Sequence, residues 1–105
     1  MSKYHAIRTT IDGITFASRR EAERYQELKL LQMAGEITDL KLQPRFRLMD
    51  ATNTDRGVDY IADFMYTENG VQVVEDVKGV QTRVFRIKAK MFKSKYPQYE
   101  LRIVR

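Results

Sequence analysis

The chain has 105 residues, and its 19 Lys or Arg against 14 Asp or Glu give a net charge of +5. That length fits one compact domain, and 43% hydrophobic residues are enough for it to fold rather than stay disordered. It contains no cysteine, which excludes disulfides, thiolate metal sites and a cysteine nucleophile and suits a reducing cytoplasm.

No stretch is apolar for long enough to span a membrane, and the N-terminus lacks the apolar run of a signal peptide. A domain this small buries only roughly 60–65% of its unfolded surface, so association into a homodimer would add stability. A pI near 9.6 biases the partner towards a polyanion, above all nucleic acid.

Tyr4 to Phe16 reads as a short strand pair broken at the turn dipeptide Asp12-Gly13. Ser18 opens a helix, with Ser18 and Glu21 in capping-box spacing and Gly35 as the stop. Ile37 to Leu42 and Phe46 to Met49 are expected to be extended, with Pro44 between them. Val58 to Tyr66 reads as one strand rich in β-branched and aromatic residues. Glu68-Asn69-Gly70 turns it into a hairpin partner, Val71 to Lys78, which Gly79 closes. A second helix is expected from Thr82 to Tyr96, stopped by Pro97, and then a last strand, Tyr99 to Val104. The order is mixed α/β, of the α+β kind, with helices packed on a central sheet.

The segment Glu75-Asp76-Val77-Lys78 carries the most chemistry. Strand side chains alternate, so Asp76 and Lys78 share one face while Glu75 and Val77 take the other. On the preceding strand Asp63 sits inside an otherwise apolar run, and a hairpin would bring it beside Asp76. Two carboxylates about 4 Å apart repel by roughly 1 kcal/mol even in water, and a divalent cation removes that repulsion. A solvated acid pair is the plainer reading. On the first helix, Glu21 lies roughly 40° from Tyr25 and roughly 20° from Leu28. It therefore sits at the edge of the packing face, while Glu23 and Glu27 face water. A one-residue shift in register would exchange Glu75 for Asp76.

Glu21, Asp63 and Asp76-Val77-Lys78, in this order, resemble the PD-(D/E)XK nuclease superfamily. Its pattern is a helix glutamate, an aspartate ending a strand, (D/E)-x-K on the next strand, and then a helix. That superfamily includes restriction enzymes, Holliday-junction resolvases and phage endonuclease I. The whole chain is also similar to small phage and prophage proteins through Phe16-Ala17-Ser18 with Glu21, Gln43-Pro44, Ala62-Asp63-Phe64, Glu75-Asp76-Val77-Lys78-Gly79 with Thr82, and Tyr96-Pro97. Ala62 stands where the superfamily often has proline.

The resemblance implies a restriction-endonuclease-like core, α-β-β-β-α-β, and Mg²⁺- or Mn²⁺-dependent hydrolysis of phosphodiesters. Asp63 and Asp76 would hold the metal. Glu21 would join them directly or through a water, and Lys78 would orient the attacking water. The metal count stays open.

In the second helix Arg83, Arg86, Lys90 and Lys93 recur at spacings of three and four, forming one stripe opposite Phe85, Ala89, Phe92 and Tyr96. Four cations without an intervening acid suit contact with phosphates. Lys88 lies nearer the apolar side and can point back towards the acids. Gln81 and Thr82 stand at the helix start, where an anion can sit. Tyr60, Phe64 and Tyr66 are expected to fill the core. The functional expectation is an endonuclease on double-stranded or branched DNA. A DNA-binding accessory protein without chemistry and an enzyme acting on RNA are the alternatives.

Overall fold

The computed structural model describes residues 7–105. Tyr4 to Ala6, the start of the first expected strand, lie outside the described residues.

The chain opens with a small antiparallel hairpin, β1 (Thr9–Ile11) and β2 (Ile14–Phe16). Asp12 and Gly13 take φ of 54° and 75°, the paired left-handed geometry that fits the twist of a two-residue hairpin loop. Helix α1 (Arg19–Met33) follows. Ser18 is extended, and its hydroxyl accepts the Glu21 N–H at 3.1 Å. Glu21 Oε2 in turn accepts the Ala17 N–H at 3.0 Å. The expected capping box thus forms, with its return bond one residue earlier than the cap itself. Gly35, at φ 79°, ends the helix.

Two bent extended segments come next. The first comprises β3 (Thr38–Leu42) and β4 (Arg45–Met49); the second comprises β5 (Val58–Ile61) and β6 (Phe64–Glu68). β3 pairs with β6 and β4 with β5, all antiparallel. Val58 to Tyr66 is therefore not one continuous strand. It breaks at Ala62-Asp63, opposite the break at Gln43-Pro44. The backbone bonds across the bend are Gln43 N–H to the Asp63 carbonyl (2.9 Å) and Ala62 N–H to the Pro44 carbonyl (3.1 Å). Pro44 brings no N–H to the ladder, and Gln43 is left-handed at φ 50°. The partner strand bends with them, because β5 pairs with β4 while β6 joins a different sheet.

That sheet holds β3, β6, β7 (Val71–Val77) and β8 (Glu100–Val104), in that order. β6 and β7 are antiparallel around the Asn69-Gly70 turn, whereas β7 and β8 are parallel. A parallel neighbour demands a crossover, and α2 (Arg83–Lys95) supplies it. Thr82 caps α2 by accepting the Phe85 N–H at 3.1 Å.

The sheet separates two apolar clusters. One joins Phe64, Tyr66, Val73 and Val77 to Ala22, Tyr25 and Leu28 of α1. The other joins Val74 and Tyr60 to Phe85, Ala89 and Phe92 of α2, with Phe46 and Leu48 of β4. Tyr60, Phe64 and Tyr66 do pack in the interior, but on both sides of the sheet rather than in one layer. The architecture is a mixed α+β fold. Among the described residues, no helix is long and apolar enough to cross a membrane.

Candidate metal centre and nucleic-acid interface

Strand β7 buries five consecutive residues, Val73 to Val77. Two of them are acids, Glu75 and Asp76, and both are almost completely enclosed, at 0% and 1% exposure. Alternation sends them to opposite faces, and their surroundings differ in kind.

Glu75 faces α1. Arg24 grips it with two bonds, Nε to Oε2 at 2.7 Å and Nη2 to Oε1 at 2.9 Å, and the Tyr66 hydroxyl donates to Oε1 at 2.6 Å. The bond to Glu75 raises the Arg24 pKa further, and burial with the same carboxylate pushes the Tyr66 phenol up to about 12. Glu75 is a satisfied structural anion, and its carboxylate belongs to the α1 side of the sheet.

Asp76 faces α2. Its Oδ2 accepts a short hydrogen bond from the Tyr60 hydroxyl. Its Oδ1 is buried with no hydrogen-bond partner among the described residues; Lys78 Nζ lies 3.6 Å away. Beside it stands Asp63, at the bend between β5 and β6. Asp63 Oδ2 accepts the Val77 N–H at 2.7 Å, and its carboxyl lies within hydrogen-bonding reach of Asp76. Burial, the largest cause for both, raises the Asp63 pKa to about 6 and that of Asp76 to about 7. Two carboxyls this close share a proton more readily than two charges.

Glu21 comes within reach of the Asp63 carboxyl and adds to its upward shift. It does not approach Asp76, and one of its oxygens is occupied by Ala17. The three acids expected to meet at one point instead form a chain, Glu21 to Asp63 to Asp76. Among the described residues, no group of three His, Cys, Asp or Glu side chains converges as a metal cage. The bend explains the arrangement: Asp63 sits where the strand leaves the sheet, so it can touch an α1 residue and an α2-side residue at once. Glu21 and Asp63, with Gln43, Leu42 and Thr15, line a cleft of about 130 Å³.

On the other side, Asp76, Lys78, Tyr60, Thr82 and Lys88 line a second cleft of about 260 Å³. The Lys78 ammonium is held between Asp76 and the Phe85 ring, 5.0 Å from its centroid. Lys88 lines the same cleft as Asp76 and Lys78. Arg83, Arg86, Lys90 and Lys93 are all exposed. Of these only Arg86 lines a cleft next to the acids, a third one of about 440 Å³ formed with Lys78, Gln81 and Arg105. Arg83, Lys90 and Lys93 line none of the three clefts and present their charge to solvent.

Sequence reasoning missed the Tyr60 hydroxyl as the partner of Asp76, Gln43 as a cleft residue, and Arg105. Only Gln43 left a trace in the sequence, as the residue before Pro44. A tyrosine inside an apolar run reads as core, and the partner of its hydroxyl is fixed only by the packing of β5 against β7.

The fold and site together define a small basic α+β protein with a buried carboxyl pair beside a lysine. A family model described as a protein of unknown function (DUF1064) matches residues 1–105, so the chain belongs to that family. No curated protein and no solved structure matches it.

Proposed function

We propose that the protein is a Mg²⁺- or Mn²⁺-dependent endonuclease that hydrolyses DNA phosphodiester bonds. The observation that carries this reading is the pair Asp63 and Asp76, with the bare, buried Asp76 Oδ1 facing Lys78. A buried carboxylate oxygen without a donor is costly, and a cation offsets that cost. The donors are hard oxygens, which suit Mg²⁺ or Mn²⁺. Asp63 and Asp76 would hold the ion, and Glu21 would support it through Asp63. When bound, the ion supplies an acidified water and neutralises charge on the phosphate.

The remaining roles belong to the chain's own groups. The two carboxylates must be deprotonated to bind a cation, so a proton leaves the pair first. Lys78 Nζ is poised to hold the attacking water or to hydrogen-bond a non-bridging phosphate oxygen as negative charge grows there. Tyr60 fixes the Asp76 carboxylate by occupying Oδ2, which leaves Oδ1 for the ion. Lys88 and Thr82 offer a positive charge and a hydroxyl to the phosphate in the same cleft. The exposed Arg83, Lys90 and Lys93 draw in the strand through long-range charge.

The element order α1, β3, β6, β7, α2, β8 supports the PD-(D/E)XK reading, with β4 and β5 as an extension at the bend. A cytoplasmic location and a homodimer presenting two sites to branched DNA are consistent with it. The test is direct. Purified protein is incubated with branched, linear duplex and single-stranded DNA in Mg²⁺ or Mn²⁺, beside Asp76→Asn. Cleavage by the wild type alone, with DNA binding retained in the variant, is the expected result. Binding without cleavage in every metal would leave a non-catalytic DNA-binding protein.

A further inference from the structure

We propose that the basic cleft beyond Lys78 is a phosphate seat, which holds a phosphate of the nucleic-acid strand adjacent to the bond over Asp63 and Asp76. This inference rests on the nuclease reading for its position, though not for its chemistry.

The cleft is lined by Lys78, Gly79, Val80, Gln81, Arg86 and Arg105. Three of these side chains are cationic and none is acidic; Lys78 is paired with Asp76 at 3.6 Å, so Arg86 and Arg105 supply the excess positive charge of the cleft. Its volume, about 440 Å³, leaves room for a phosphate with its sugar.

Arg86 is already oriented. Its Nε and Nη2 donate to the Gln81 carbonyl at 3.2 and 3.1 Å, so the guanidinium is braced against the loop, and its Nη1 makes no hydrogen bond to the described residues. A planar fork fixed in advance loses less entropy when it takes up a phosphate oxygen. Arg105 is anchored too: its carbonyl accepts the Arg20 Nε–H at 2.8 Å. One residue earlier, the Val104 carbonyl accepts the Lys78 N–H at 2.8 Å. The Arg105 wall is therefore tied to Lys78, directly after the strand that carries Asp76, and the Arg86 wall to the loop that follows it.

Two further features point the same way. The first turn of α2 holds no acid and begins with Arg83, so no carboxylate of that turn offsets the positive end of the helix. Lys78 lines both this cleft and the one containing Asp76. The two clefts thus share Lys78, and an anion in one is the neighbour of a group held in the other. The exposed Val80 offers an apolar wall for a sugar. The same chemistry is presented by an internal phosphodiester and by a terminal phosphomonoester.

Two experiments decide the matter. In the first, a cleavable DNA carrying one neutral methylphosphonate linkage at each position in turn is cut by wild type and by Arg86→Ala/Arg105→Gln. Both residues are exposed, so the variant should fold. The expected result is one linkage beside the cut whose neutralisation slows the wild type about tenfold or more. That linkage loses its effect in the variant. A variant profile identical to that of the wild type overturns the proposal. Parallel substrates with 5′-phosphate, 3′-phosphate or hydroxyl ends separate the sources. Cutting locked to a phosphorylated end assigns the seat to a terminal phosphate, and internal interference assigns it to the strand.

In the second, metal-free protein is titrated with inorganic phosphate and followed by ¹⁵N resonances. Shifts at Arg86 Nε and at the Gly79 to Gln81 amides are expected, and they should vanish in the variant. Shifts elsewhere, or none, overturn the seat even if the protein cuts DNA. Shifts at the cleft in a protein that cuts nothing would retain the seat and dismiss the nuclease.

Discussion

Glu75 and Asp76 are neighbours on one strand, equally buried, and opposite in condition. Glu75 has an arginine fork and a phenol, so its charge is matched on both oxygens. Asp76 has one phenol, a second carboxyl at its side, and one oxygen with no hydrogen-bond donor among the described residues. A buried charge that is fully paired is structure. A buried carboxyl left partly unpaired next to another acid is unusual for a purely structural group, and such perturbed sites cluster where chemistry occurs. The contrast identifies which of the two acids is the candidate for function, a choice that the x-K spacing favoured but could not make alone.

The largest expected effect tests the Asp76 side directly. Asp76→Asn should reduce DNA cleavage to background, and Lys78→Ala should slow it by roughly 10²–10⁴-fold, with near-native melting temperatures. Kinetics set beside thermal denaturation would check this. If Lys78→Ala loses stability but not rate, Lys78 is only an ion-pair partner for Asp76.

The mirror experiment falls on the other face. Arg24→Ala strands the Glu75 charge in the interior and should cost about 3–5 kcal/mol of stability, measured by urea unfolding. The surviving folded fraction should cleave at the wild-type rate. A specific loss of rate would undo the division between the two faces.

A smaller effect separates Tyr60 from its aromatic neighbours. Tyr60→Phe keeps the ring against Phe85 and Phe92 but frees the Asp76 carboxylate to rotate. Mn²⁺ affinity, read by calorimetry, should fall about tenfold, in the range typical of groups that orient metal ligands. An unchanged affinity would reduce Tyr60 to a packing residue.

Stability should also report the acid pair. Carboxyls that titrate near 3.8 when unfolded and near 6 and 7 when folded retain protons in the folded chain that the unfolded chain has already lost. Their contribution to stability is therefore full below about pH 3.8. It is lost as pH rises through 6 to 7. Metal-free protein should melt several degrees lower at pH 8 than at pH 5, and Mg²⁺ should restore the difference at pH 8 by binding only the folded state. Asp76→Asn should flatten both responses. The smallest effect belongs to the solvent stripe: removing Arg83 and Lys90 should reduce the slope of log affinity against log salt by about one each. An unchanged slope would mean that the stripe never meets phosphate.

Much of this molecule was written locally. Capping groups at Ser18 and Thr82, turns at Asp12-Gly13 and Asn69-Gly70, and the apolar stripe Phe85, Ala89 and Phe92 all follow from short-range rules, so their elements were legible. The alternation of Glu75, Asp76, Val77 and Lys78 was equally legible, because a strand has a period of two. The break at Ala62-Asp63 was not. Nothing in that run disfavours a continuous strand; the bend is imposed by Pro44 and Gln43 on the partner segment, twenty residues away in sequence. Only the tertiary structure then decided that Asp63 stands at the corner, that Glu21 reaches it but not Asp76, and that the Tyr60 hydroxyl completes one carboxylate oxygen and leaves the other bare. Spacing fixes the direction of a side chain along its own element, whereas the partner it meets depends on how separate elements pack.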